Sequence, residues 1–183
     1  MSDNNMNAPL DIDTLYGKYT SEEQIKESFD KMTAPTGRYR FTATKVETCK
    51  GSADHKVPML QDREFVHVFG KIVAVLPDGT EKKYGSVGFD GSWESRKETR
   101  KNGVIAPDRV GKLWGQLVVA LDMKTAQVGE VVNAISQYPV TLYVTENFRT
   151  PEGWRRAGDP EVRKLYRSKG FDCRNFVESI SRG

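Results

Sequence analysis

The feature that most constrains this chain is a pair of strand-length runs joined by a tight turn. From Arg63 to Leu76, Phe65, Val66, Val68, Phe69, Ile72, Val73 and Val75 supply the β-branched and aromatic side chains that suit a long strand. Pro77-Asp78-Gly79 reverses the chain, and Lys82 to Phe89 supplies the returning strand of a hairpin. An isolated two-stranded hairpin is marginal in water, so the rest of the chain has to cover it.

The flanking segments provide that cover. Tyr39, Phe41 and Ala43 alternate with Arg38, Arg40, Thr42 and Thr44, the period of a half-buried strand, and Lys45-Val46 breaks the alternation as a bulge does. Residues 49–62 read as a loop. Beyond the hairpin, residues 91–103 are polar and basic. Ala106-Pro107-Asp108 opens a helix, with Pro placed early where its missing N–H costs nothing. Val110, Leu113, Trp114, Leu117, Val118 and Leu121 recur along it at helical spacing. A second helix spans Gln127 to Gln137, with Val128, Val131, Val132 and Ile135 inward, and Tyr138-Pro139 stops it. Val140, Leu142 and Val144 against Thr141, Tyr143 and Thr145 make a fourth strand. A basic, aromatic loop fills 149–170, and Phe171 to Ile180 forms a fifth strand.

Three strands, a helix pair and two strands is the element order of the OB-fold, a five-stranded partly open antiparallel β-barrel. A layer of helix on an antiparallel sheet satisfies the same pattern. Upstream, residues 1–20 show no apolar period. Thr20-Ser21-Glu22-Glu23-Gln24 resembles a helix start, and Ile25, Phe29 and Met32 form one narrow stripe behind it. The chain thus divides into an acidic N-terminal arm with a short helix, residues 1–33, and an OB-like nucleic-acid-binding domain, residues 34–183.

Charge sharpens that division. The whole chain of 183 residues carries 28 Lys+Arg against 25 Asp+Glu, a net of only +3. Residues 1–33 hold seven acids against three bases, a net of −4, which leaves 25 bases against 18 acids and +7 for the remainder. A basic body behind an acidic leader is a statement about partners rather than fold.

Several classes fall away. With 37% apolar and 29% charged residues the composition is that of a foldable chain, and no run reaches the length of a membrane span. The polar, acidic N-terminus lacks a signal peptide's basic and apolar regions, so a cytoplasmic location is expected. Cys49 and Cys173 read as free thiols. Cys49 lies near His55, but His67 and Cys173 stand alone, and no paired-ligand spacing exists for zinc. No cofactor and no metal are expected. Neither histidine lies beside a patterned Ser, Cys or carboxylate, so triad chemistry has no local signature and no enzyme is predicted. Gly85-Ser86-Val87-Gly88-Phe89-Asp90-Gly91 lacks the Gly-Lys-Ser/Thr ending of a P-loop and reads as a bulged strand end.

The basic, aromatic segments carry more. Residues 149–170 hold seven bases against three acids, with Trp154 and Tyr166 interleaved and Phe148 at their edge. Single-strand binders combine a cationic groove for phosphates with flat side chains on which bases stack. OB-folds place that surface on strands two and three and on the loops joining strands one–two and four–five. Trp93 and Trp154 sit in polar contexts that a core has little reason to use, so they are the first stacking candidates, with Tyr143 and Phe148 behind them. The candidate phosphate contacts are Arg96, Arg100 and Lys101 after strand three, and Arg155, Arg156, Arg163, Lys164 and Arg167 in the later loop. Trp114, Tyr39, Phe41, Phe65 and Phe69 read as core, and Tyr84 and Tyr143 fit either face.

Gly37-Arg38-Tyr39-Arg40-Phe41-Thr42-Ala43-Thr44-Lys45-Val46-Glu47, the hairpin, Lys112-Leu113-Trp114-Gly115-Gln116-Leu117, Gly129-Glu130-Val131-Val132 and Pro139-Val140-Thr141-Leu142 follow one another in an order that resembles phage-encoded OB-fold single-stranded DNA-binding proteins. The similarity covers residues 36–180 in order and character. It implies a sequence-tolerant binder of single-stranded DNA acting in phage DNA replication or recombination, in the host cytoplasm. Many such proteins end in an acidic tail that recruits partners, whereas this chain ends Glu178-Ser179-Ile180-Ser181-Arg182-Gly183 and carries its acids at the other end. Replication or recombination proteins are therefore expected to meet the N-terminal arm, which is also placed to fold over the basic groove as a strand mimic. A phage structural or assembly protein and a small nucleic-acid-processing enzyme are the alternatives.

Overall fold

The computed structural model describes residues 33–183; the helix expected over residues 20–32 and the acidic arm lie outside them. The described residues are mainly β, with three α-helices and a six-stranded antiparallel sheet. Strand β1 (Gly37–Lys50) pairs with β2 (Glu64–Val75), which pairs with β3 (Glu81–Gly91). The β2–β3 turn closes as its sequence requires. Gly79 takes a left-handed φ of 82°, and Asp78 Oδ1 accepts from Thr80 N at 2.9 Å.

Helix α1 (Arg109–Ala120) starts after the expected Ala106-Pro107-Asp108. Pro107 lies in a strand, and Asp108 caps the helix by accepting from Gly111 N at 3.0 Å. Val110, Leu113, Leu117 and Ala120 are its buried stripe. Helix α2 (Val128–Gln137) buries Val131, Ala134 and Ile135 and stops before Pro139. Both helices share one core with Tyr39, Phe41, Val66, Val68, Ile72, Val140, Leu142 and Val144.

Two segments read as loops are built. Residues 91–103 contribute to a separate hairpin, β4 (Lys97–Thr99) with β5 (Ile105–Pro107). After β6 (Val140–Thr150), the basic stretch folds as β7 (Gly153–Arg156) and helix α3 (Pro160–Ser168), and β8 (Cys173–Arg182) follows. One edge of β6 pairs with β8 throughout. The other pairs with β1 over Val140–Val144 and then with β7 over Asn147–Thr150.

The expected barrel is not closed: among the described residues, β3 and β8 each keep one edge without a ladder partner. Side chains of α1 take over the β8 edge instead. Arg109 donates to Val177 O at 2.7 Å, and Gln116 Oε1 accepts from Ile180 N at 3.0 Å. Lower down, the two edges bound an open cleft. No helix among the described residues is long and apolar enough to cross a membrane.

Candidate nucleic-acid interface

The cleft between β3 and β8 measures about 450 Å³ and is lined by His67, Phe69, residues 85–90 and Cys173, Arg174 and Asn175. A neighbouring hollow of about 500 Å³ shares Gly88, Phe89, Asp90, Arg174 and Asn175 and continues to Phe176, Arg109 and the Val57–Leu60 loop.

One bank is the outer face of β2. The buried positions Val66, Val68 and Ile72 point Phe69, His67 and Lys71 the other way by strand alternation. Phe69 is 39% exposed, not a core residue as its hydrophobicity suggests. It pairs in register with Lys45 on one side and Gly88 on the other. A Cβ at position 88 would lie 3.2 Å from the Phe69 ring and 3.4 Å from His67, so the missing side chain lets both rings lie against the strand. His67 Nδ1 donates to Asp90 at 2.7 Å, which fixes that ring.

The other bank is β8, whose outer face continues over β6 to β7. Trp154 on β7 and Phe176 on β8 reach across β6 until their centroids are 5.3 Å apart. The Arg174 guanidinium lies 5.5 Å from the Trp154 ring and that of Arg109 lies 5.7 Å from Phe176, so guanidinium, ring, ring and guanidinium alternate. Next along the face, Arg156 sits 5.9 Å from the Tyr143 ring and donates to its hydroxyl at 3.1 Å. Acids on this bank are Asp172, 3.4 Å from Arg174 Nε, and Glu178, which accepts from Thr145 Oγ1 at 3.5 Å. Such a surface offers ring faces to bases and guanidinium groups to phosphates.

The expected site residues divide. Trp154, Tyr143 and Arg156 join this face; Arg155, which pairs with Phe148 and so has the opposite parity to Trp154, and Lys164 on α3 are exposed. Arg100 and Lys101 stand exposed on the tip of the β4–β5 hairpin, away from the rings. Five expected residues have other partners in the fold. Phe148 is fully buried, 5.6 Å from Tyr166, because its parity along β6 is that of Val144 rather than Tyr143. Trp93 packs edge-on against Trp114 at 5.3 Å, on the core side. Arg96 is spent on Gln61 O, at 2.6 Å. Arg163 and Arg167 converge on Glu146, a fully buried carboxylate, at 3.6 and 3.0 Å. A carboxylate taken out of water demands cations, so these two arginines tether α3 to β6 rather than wait for phosphate.

Sequence reasoning missed Phe69, His67, Arg174, Phe176 and Arg109. For Phe69 and His67 a signal existed, since strict alternation from Val66 and Val68 puts both on the outer face. Arg174, Phe176 and Arg109 had none, because tertiary packing brings them together.

A second arrangement braces this end of the molecule. Arg63, fully buried, makes a two-pronged ion pair with Asp108 and donates to Glu94 O at 2.5 Å and Met59 O at 3.2 Å. One guanidinium therefore ties the 51–62 loop, the segment after β3 and the start of α1 together. Both cysteines are free. Burial, and then Glu146, pushes the Cys173 thiol up, which keeps it protonated and a poor nucleophile.

The segment entering β1 is seated in the same cleft. Thr33 lines it, and Asn175 clasps Ala34 by accepting from its N–H and donating to its carbonyl, both at 2.7 Å. No family model matches this chain, and no curated protein or solved structure matches it either.

Proposed function

We propose that this chain is a sequence-tolerant single-stranded DNA-binding protein of the kind phages use in replication or recombination, with an OB-like barrel left open between β3 and β8. The observation that carries the reading is the two-banked cleft, with Phe69 and His67 on one bank, Arg174 and Phe176 on the other, Arg109 over Phe176 and the Trp154 ring stacked beside it. The strand neighbours support the barrel: β1 lies between β2 and β6, and β6 between β1 and β8, as in an OB sheet. Each stacked base contributes about 1–3 kcal/mol whatever its identity, and phosphates add a salt-dependent attraction. The protein binds and orders the strand and performs no chemistry on it. The acidic residues 1–32 precede Thr33, which lines the cleft, and in this reading their charge competes with DNA for the basic banks and meets replication or recombination partners.

Titration of labelled oligo-dT at two salt concentrations tests this. Affinity that falls by about 0.7 log units per phosphate contact for each tenfold rise in salt is the expected result. Absence of binding at about 50 mM salt, where such contacts dominate, overturns it in favour of an assembly role.

A further inference from the structure

The β4–β5 hairpin belongs to neither bank of the cleft, and its composition is unusual for an excursion into solvent. It is a two-stranded unit separate from the main sheet. Its turn is fixed by Arg100 N donating to Val104 O at 2.9 Å and Gly103 N to Arg100 O at 2.8 Å. At the tip Ile105 is 66% and Val104 53% exposed, two β-branched side chains that gain nothing from water. Lys97, Arg100 and Lys101 share the hairpin with them against one acid, Glu98.

The hairpin has a rigid root. Asp108 N donates to Arg96 O at 3.0 Å, and the buried Arg63–Asp108 pair holds the position where β5 runs into α1. Its strands grow out of the cleft wall. β3, a cleft strand, ends at Gly91 shortly before β4, and Pro107 is followed within two residues by Arg109, which lies against Phe176. The hairpin root is thus two residues from the Arg109 end of the cleft, and its outer turn carries an apolar pair among cations.

We infer that the Val104–Ile105 tip is a wedge for the end of a nucleic-acid duplex, engaging the junction between double and single strand while the single-stranded tail occupies the cleft. Aliphatic side chains press against exposed base-pair faces in this way, and flanking lysines and arginines neutralise the adjoining phosphates. The positive charge beside the tip selects this partner over a second copy of the chain, whose own hairpin would bring like charges together. The inference rests on the single-strand reading above and adds a substrate class to it: tailed duplexes and forks.

The test compares the full chain on a single strand of about 16 nucleotides with the same strand as the tail of a duplex. Protein with native hairpin should hold the tailed duplex about tenfold more tightly. A 2-aminopurine in the terminal base pair should brighten as that pair is disturbed. Val104→Ser/Ile105→Ser, whose side chains support no core, should abolish both effects and keep single-strand affinity within about twofold. Equal affinity for the two ligands in the unsubstituted protein overturns the wedge, as does a double variant that keeps the preference. A drop in molecular mass on the double substitution, seen by light scattering, overturns it in favour of a self-association surface. Failure to bind the single strand at all overturns the single-strand reading, and the wedge with it.

Discussion

Trp154 and Phe176 stand on opposite sides of β6, yet their rings meet 5.3 Å apart at 54°, roofing Asn147 on the outer face of the sheet. Trp93, as aromatic and as basic in context, lies against Trp114 on the inner side. Trp154→Ala should therefore weaken oligo-dT binding by about 1–3 kcal/mol and leave thermal stability nearly unchanged. Trp93→Ala should do the reverse, lowering stability by about 2 kcal/mol, below the figure for a wholly buried ring. Parallel titration and melting of both variants check this; equal losses of affinity would remove Trp154 from the interface.

The arginines separate by their partners. Arg163 and Arg167 neutralise Glu146, so replacing either with Ala should leave the salt slope of DNA binding unchanged. Arg174→Ala should lower that slope by about 0.7, one phosphate contact. A slope that falls on Arg167→Ala would mean that DNA takes the guanidinium from Glu146.

Removing residues 1–32 takes away four net negative charges from a chain that enters the cleft at Thr33. Single-strand affinity at low salt should rise, and the gain should vanish near about 1 M salt, where screening shortens to about 3 Å. Unchanged or weaker low-salt affinity would show that the acidic segment does not compete for the groove.

Arg63 and Asp108 should behave as structure, not as site. Asp108→Ala strands a buried guanidinium and removes the α1 cap, and a loss of about 3–5 kcal/mol is expected from urea unfolding. The isosteric Asp108→Asn keeps a capping oxygen and should lose less.

Tyr39 makes the alkaline limit of the fold visible. Burial first, then the neighbouring Tyr84 and Glu146, pushes its phenol up to about 12, and its hydroxyl donates to Pro35 O at 2.6 Å. The unfolded phenol ionises near about 10, so the contribution of the neutral ring is full below that pH and is lost as pH climbs towards 12. Unfolding free energies of Tyr39→Phe and the unsubstituted protein from urea titration should differ by about 1 kcal/mol of hydrogen bonding at neutral pH and converge above about pH 10. A gap that stays constant with pH would show that Tyr39 does not titrate with the fold.

Elements were legible wherever side chains alternate with an unambiguous period. The β2–β3 hairpin, both long helices and the start of β6 follow from spacing, because a buried stripe or face leaves its repeat in the sequence. The hairpin at Lys97–Pro107 was not legible, since nearly every residue in it is exposed and no burial pattern marks it. Nor was α3, whose anchor is a pair of arginines on a carboxylate in a different element.

The sequence by itself determined the strands and helices that carry a buried repeat, the basic body behind an acidic leader and the presence of rings among cations. Only the tertiary structure decided which rings face outward. A strand's two faces are a matter of parity, and a bulge such as that between Ala43 and Lys45, or the shift between Tyr143 and Val144, changes that parity within one residue. It also decided which cations are free. A guanidinium that looks available in sequence is committed once folding buries a carboxylate beside it, and the chain bringing Glu146 to Arg163 and Arg167 leaves no local trace. The cleft itself exists because β3 and β8 approach without pairing, a relation between strands more than 80 residues apart.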